Sequence, residues 1–254
     1  MHLNGGWVNT DIQKTGADDS SQTGRALLLL REMVLRGDFQ PGERLSELSL
    51  VARLSISRTP IRLALERLAH EGLLEVSASG GFVARNFTIE DVWDAIEVRG
   101  VLEGTAARLA AERLVDESEV ERLRHFRDEM ISIQELTLDT LDRFLELNDA
   151  FHSELVSLAK SPMLAWTLER VTSLPFGAPG SLVFTRSQLP AAVSIMKVGH
   201  EQHRSMVEAI QSRQGTRAES VAREHARLSR RTIEIAMNDT HMKSRMPWGG
   251  LIRY

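Results

Sequence analysis

Residues 47–68 read ELSLVARLSISRTPIRLALERL, and this stretch decides the architecture. It divides into two helices around a tight turn. The first carries Leu48, Val51, Ala52 and Leu54 at helical spacing, and Ser55-Ile56 breaks it. Ser57 suits the N-cap of the second helix, and Pro60 suits its first turn, where a missing N–H is no loss. Ile61, Leu65 and Leu68 form one apolar face, while Arg58, Thr59, Arg62 and Arg67 occupy the start and the opposite face. Hydroxyls and guanidinium groups at a helix N-terminus match a DNA major groove: backbone amides and Arg meet phosphates, and Arg and Thr reach base edges. The plainer alternative is a helical hairpin whose arginines are a solvated face.

The flanks favour DNA. Residues 25–36 have helical periodicity and run into the turn GDFQPGERL, residues 37–45. EGLLEVSASGGFVAR, residues 71–85, reads as strand, Gly-rich turn, strand. Three helices and a hairpin make a winged helix–turn–helix. Here the chain resembles the GntR family of bacterial transcription regulators. The matching residues are Phe39-Gln40-Pro41-Gly42-Glu43-Arg44-Leu45, Glu47, Ser57-Arg58-Thr59-Pro60-Ile61-Arg62, Ala64-Leu65, Leu68, Glu71-Gly72-Leu73-Leu74 and Gly81-Phe82-Val83. Ser55 departs from the usual Gly, and Leu63 from a frequent Glu. The resemblance implies DNA contacts from Arg44, Ser57, Arg58, Thr59 and Arg62, with the wing tip Ser79, Gly80 and Gly81 close to the phosphate backbone or minor groove.

Composition sets limits. The 254 residues suffice for two domains, and 42% hydrophobic content supports sizeable cores. There is no Cys, which excludes disulfides and thiolate metal sites and fits a reducing cytoplasm. No run approaches the roughly 18 apolar residues of a membrane span, and no signal-peptide pattern opens the chain. The expected setting is therefore the bacterial cytoplasm at the nucleoid, with no membrane partner. The net charge of −4 looks wrong for a DNA binder, but its distribution explains it. Residues 24–86 hold nine Arg/Lys against seven Asp/Glu, whereas residues 87–254 hold 21 against 25. Two heads on one operator compensate for a weakly basic single head.

The expected organisation is a disordered arm over 1–23, a winged helix–turn–helix over 24–86, an antiparallel all-α bundle over 87–240, and a tail over 241–254. The fold class is mainly α. Thr88 is placed to cap the first bundle helix, with Glu90 and Asp91 in its first turn. Helices are expected at about 88–114, 116–134, 139–159, 162–174, 190–213 and 216–239, broken at Pro162, Pro175, Pro179 and Pro190.

Polar groups interrupt the bundle's apolar stripes. One stripe runs Val92, Ile96, Arg99, Glu103, Ala106, Ala110, and another Leu141, Leu145, Asn148, His152, Leu155, Ala159. A third runs Met196, Gly199/His200, His203, Val207, Ile210, and a fourth Ala218, Ala222, His225, Leu228/Ser229, Thr232, Ile235. Taken singly, each histidine reads as a satisfied core residue. Taken together, several helices delivering costly buried polar groups point to a shared divalent ion held by imidazole nitrogen. Asn148 and His152 lie four apart on one helix face.

The resemblance extends to this region. Helical regulatory domains of the FadR-like branch of the GntR family, the FCD domains, often carry Asp/Asn-x3-His on one helix and single histidines on two later helices. Asn148-Asp149-Ala150-Phe151-His152, His203 and Glu224-His225-Ala226 match, with Asn in the Asp place. The implied ion is zinc, with nickel or manganese also compatible, and His200 competes with His203. The stretch 94–104 and the tail with Trp248 and Ile252-Arg253 are similar to vanillate-responsive repressors.

The resulting expectation is a homodimeric, ligand-responsive repressor on a near-palindromic operator, with no catalytic residues. The alternatives are a metal-dependent enzyme with Glu103 as base, and a structural bundle on a DNA anchor. No nucleophile elbow, P-loop or H-E-x-x-H favours the enzyme. Arg99 leaves two options open: it pairs with Glu103 one turn on, or it and the metal grip the carboxylate of a small organic acid, aromatic by the vanillate resemblance.

Overall fold

The computed structural model describes residues 12–133, 137–174, 176–179, 189–237 and 252. The chain divides into two compact units, Met1–Asn86 and Phe87–Tyr254.

In the first unit α1 (Ile12–Arg36) precedes β1 (Arg44–Leu45), α2 (Glu47–Leu54), α3 (Arg58–His70), β2 (Leu74–Val76) and β3 (Phe82–Ala84). The strands form an antiparallel sheet ordered β1-β3-β2, with Leu74 opposite Ala84 and Arg44 opposite Val83. Arg44 and Leu45, read from sequence as part of a turn, thus supply a third strand. The expectation of a disordered arm over 1–23 also changes: α1 begins at Ile12, and no proline interrupts it before Arg36. Residues 1–11 lie outside the described residues.

The α2 stripe needs a correction. Leu48 is 72% exposed, and the residue α2 buries is Leu50. In an eight-residue helix, Leu48, Leu50, Val51 and Leu54 offer two competing faces, and only tertiary packing selects between them. Ser46 caps α2, its hydroxyl accepting from the Ser49 N–H. Ser55 ends the helix in the left-handed region at φ 54°, which is why glycine suits that position. On α3 the expected face is buried: Ile61, Leu65 and Leu68, joined by Pro60 and Ala64. It packs on α1, whose Ala26, Leu30 and Val34 are buried too.

The second unit is helical: α4 (Ile89–Glu112), a 3₁₀ turn (Glu117–Val120), α5 (Glu121–Ser132), α6 (Leu138–Leu158), α7 (Pro162–Thr172), α8 (Leu189–Gln211) and α9 (Gly215–Met237). Thr88 caps α4 in a full capping box with Asp91. α4 lies chiefly along α9 and also packs on α6, α7 and α8, so it forms the inner helix of the bundle. The core below the site is Ala107, Ala110, Leu147, Phe151, Leu155, Met206, Val207 and Ile210. Among the described residues, no helix is long and apolar enough to cross a membrane.

Candidate metal centre and nucleic-acid interface

Three long helices deliver one imidazole each to a common point: His152 from α6, His203 from α8 and His225 from α9. One ligand nitrogen from each falls within 4.8 Å of the others. Ring centroids lie 4.3 Å apart for His203–His225 and 5.3 Å for His152–His225. His200, the rival of His203 in the sequence, is outside this group; its ring lies 5.8 Å from Phe144. Asn148, one turn before His152, is buried and lines the same cavity.

The donor set fits a divalent ion. His152 Nε2 and both ring nitrogens of His203 are buried without a hydrogen-bond partner. Buried polar atoms are rarely left so, and each costs on the order of 1–3 kcal/mol. Burial, followed by neighbouring His225 and His152, drives the His203 pKa well below the ordinary imidazole value. Burial and His152 drive His225 down to about 3. Neutral imidazoles are what a metal needs. His225 Nδ1 stands 3.0 Å from Gln202 Oε1; with that nitrogen donating, Nε2 keeps its lone pair.

Glu103 and Arg99 form the expected helical ion pair, and each has further partners. Glu103 Oε1 is 3.3 Å from His152 Nδ1 and 3.8 Å from Arg99 Nε. Burial works to raise the Glu103 pKa, but the neighbouring His152 and Arg99 overcome it and bring the value to about 2. Glu103 is therefore an ionised carboxylate behind a candidate ligand. Arg99 spends its terminal nitrogens on the protein: Nη1 donates to the Gly177 carbonyl at 3.0 Å, and Nη2 to Ser229 Oγ at 2.7 Å and the Ala226 carbonyl at 3.3 Å. Its Nε has no hydrogen-bond partner. Sequence reasoning placed Ser229 on the inward stripe without giving it a role, and missed Gln202 and Gly177. Ser229 and Gln202 had a helical-spacing signal, whereas a loop carbonyl leaves none.

Arg99, Ser229 and the three imidazoles face a cavity of about 70 Å³, room for a few water-sized groups. Leu141, Phe144, Leu145, Met196 and Leu228 form its apolar wall; Arg99, Asn148 and the three imidazoles form its polar end. The arrangement combines an ion site, a cation and an apolar slot. From the sequence, the apolar residues Leu174, Pro175, Phe176 and Phe184 form a loop expected to close over an effector's ring; Leu174 and Phe176 are described, whereas Pro175 and Phe184 lie outside the described residues.

In the first unit, the exposed face of α3 carries Arg58, Thr59, Arg62 and Glu66. Arg58 Nε lies 2.7 Å from Glu47 Oε2, and Arg62 Nε 3.2 Å from Glu66 Oε1. Ser57 takes the N-cap position with no side-chain capping bond. Arg44 reaches across to the wing tip, donating to Ser79 Oγ at 3.1 Å and to the Gly80 carbonyl at 2.7 Å. A groove between α3 and the wing is lined by Arg62, Glu66, His70, Gly80 and Gly81. All eight residues expected to contact DNA thus sit on α3, at its start, or at the wing and the strand that braces it.

The wing tip gives a direct test. Gly81 has φ +79°, and a Cβ there would meet Arg44 Nη2 at 3.1 Å. Gly81→Leu is expected to strain the turn by roughly 1–2 kcal/mol and to dislodge Arg44. Band-shift affinity should fall several-fold, with the melting of the helical unit unchanged by circular dichroism.

Comparison with known proteins agrees with both units. Residues 22–83 match the model described as "Bacterial regulatory proteins, gntR family", and residues 94–228 match the FCD domain. The chain is 38% identical over 140 residues to the Nta operon transcriptional regulator of Aminobacter aminovorans, covering 55% of this chain and 65% of that protein's length. It is 27% identical over 198 residues to the HTH-type transcriptional repressor GlaR of Escherichia coli, covering 77% of this chain and 88% of that one. Among solved structures it shares a fold with Lar, described as controlling the Listeria monocytogenes agr system, at TM-score 0.62 and 18% identity over 84% of this chain and 97% of that one. The chain belongs to the gntR family of bacterial regulatory proteins, in the branch whose second domain is an FCD domain.

Proposed function

We propose that this protein is a DNA-binding transcription regulator, working as a homodimer on a near-palindromic operator and released from it by a small carboxylic acid. The observation that carries the reading is the pairing of a winged helix–turn–helix with a bundle whose buried, unpartnered imidazoles face a small cavity. Repression fits the relative named a repressor.

Asn148, His152, His203 and His225 would hold the ion, with zinc the first candidate and nickel or manganese compatible with the same N/O donors. A bound ion supplies a Lewis-acid position for a carboxylate oxygen. The residues do the rest. Glu103 and Gln202 orient the His152 and His225 rings, and the apolar wall excludes water from an organic ligand's body. Arg99 supplies the second grip. A carboxylate offers the guanidinium an opposite charge and two acceptor oxygens where a carbonyl offers one neutral oxygen, so a ligand carboxylate competes with Gly177 for Arg99. Release is then linkage: the ligand lowers operator affinity by its differential affinity for two arrangements of the protein, typically about 1–3 kcal/mol.

Calorimetric titration of benzoate and other small carboxylates tests this. A carboxylate that releases DNA should bind wild type at least tenfold more tightly than Arg99→Ala. Equal binding by both proteins removes Arg99 from the site, and release by uncharged ligands alone removes the carboxylate class.

A further inference from the structure

His152 borders two cavities. One is the small cavity with the apolar wall. The other, of about 420 Å³, draws its lining chiefly from α4, α6 and α7, including Glu103, Asp149, Ser153, Glu169 and Thr172. Asp149, Ser153 and Glu169 are exposed, whereas His152 is 6% and Glu103 2% exposed. The larger cavity therefore runs from the bundle surface to the back of the imidazole cluster, where Glu103 Oε1 stands 3.3 Å from His152 Nδ1. Among the described residues, no arginine or lysine lines it.

Helical spacing builds this division. On α6, Asn148 lines the small cavity, Asp149 and Ser153 line the large one, and His152 reaches both. On α7, Ala165, Glu169 and Thr172 follow at i, i+4 and i+7, a single stripe on the large cavity. The chemistry of the two spaces differs. A divalent ion arrives hydrated, and losing that shell against apolar walls carries a heavy desolvation cost. The large cavity instead offers carboxylate and hydroxyl oxygens that replace the waters in turn. A cleft lined by one sign of charge also concentrates counter-ions and raises association rates by roughly 10–1,000-fold. Acidic side chains alone would not mark a path. At the inner end, however, His152 is buried with its Nε2 lacking a hydrogen-bond partner, which an arriving cation satisfies.

We propose that the acidic cavity is the route by which a divalent cation enters and leaves the bundle. Asp149 and Glu169 capture the hydrated cation at the mouth, Glu103 draws it inward, and His152 passes it to the three-imidazole site. The route rests on the metal reading above and assigns Asp149 and Glu169 to exchange of the ion, not to holding it.

The test follows zinc uptake by the chelator-stripped full chain in stopped flow against a chromophoric zinc indicator, and zinc release into excess chelator. Asp149→Asn combined with Glu169→Gln is compared with Asp142→Asn combined with Glu146→Gln. The second pair removes the same charge from exposed positions of α6 outside the cavity. At low salt the route predicts uptake about tenfold slower in the cavity variant, with slower release and a Kd within about twofold of wild type. Groups that lower the barrier speed both directions, so removing them slows both. The control pair should stay within about twofold of wild type, and added salt should slow wild type toward the cavity variant. Ala165→Phe narrows the cavity without changing its charge and should slow uptake and release alike. Wild-type uptake in the cavity variant overturns the route, as does an equal loss in the control pair. Weaker affinity with faster release also overturns it, because that is the signature of groups that hold the bound ion. Equilibrium dialysis separates the two claims. Wild type that binds no zinc defeats the metal reading, whereas wild type that binds zinc with kinetics indifferent to the cavity defeats the route alone.

Discussion

Arg58→Ala and Arg62→Ala each weaken operator binding by roughly 5–150-fold, the equivalent of about 1–3 kcal/mol for a lost base contact. Both guanidinium groups are exposed on the start of α3 and held by Glu47 and Glu66. Exposed ion pairs contribute little, so exchanging these carboxylates for a guanine edge or a phosphate gives up little in the free protein. For the same reason neither substitution should disturb the core of the winged unit, where Ile61, Leu65 and Leu68 do the packing. Salt titration separates the roles: loss of a phosphate contact lowers the slope of log K against log salt by about 1, whereas loss of a base contact relaxes sequence preference. Unchanged affinity in both variants, each still folded, contradicts the assignment of α3 as the reading helix.

Chelation is expected to destabilise the protein markedly. At free ion 1,000-fold above Kd, an ion bound only by the folded state contributes about 4 kcal/mol. For a unit of this size that is roughly 8–16 °C in Tm. His152 Nε2 and a ring nitrogen of His203 account for the sensitivity, because without an ion they stay buried without a hydrogen-bond partner. Differential scanning calorimetry of untagged protein with and without chelator reads the shift, and His203→Ala should melt low and no longer respond. Identical melting with and without chelator, together with no stoichiometric metal by elemental analysis, would return the histidines to ordinary core packing.

How legible all this was depended on what carried the signal. The winged fold was readable because its elements have local markers: Pro60 in the first turn of α3, Ser57 before it, and Gly80-Gly81 between β2 and β3. The bundle helices were readable because proline and glycine punctuate them and Thr88 caps the first. The three-histidine cluster was visible as interrupted stripes, since 3.6-residue periodicity says which residues share an inward face. Periodicity could not choose between His200 and His203, which lie one turn apart; the crossing of α8 with α6 and α9 makes that choice. Nor could it find the partners of Arg99. The spacing offered Glu103, whose ion pair with Arg99 is present at 3.8 Å, but the hydrogen bonds go to Gly177 and Ala226 carbonyls and to Ser229, which are 78, 127 and 130 residues away. Backbone carbonyls are the same in every residue and leave no compositional trace. In α2, eight residues were too few for the stripe to distinguish Leu48 from Leu50.

The measurement that bears most directly on the account is a band shift of the full chain, metal-loaded, on a duplex selected by wild type from a random pool, titrated with benzoate and a panel of other small carboxylates against their uncharged amides. The account predicts that at least one carboxylate dissociates the complex, that its amide does not, and that chelation abolishes the response. A complex that no carboxylate disturbs, or one that acid and amide release alike, contradicts it.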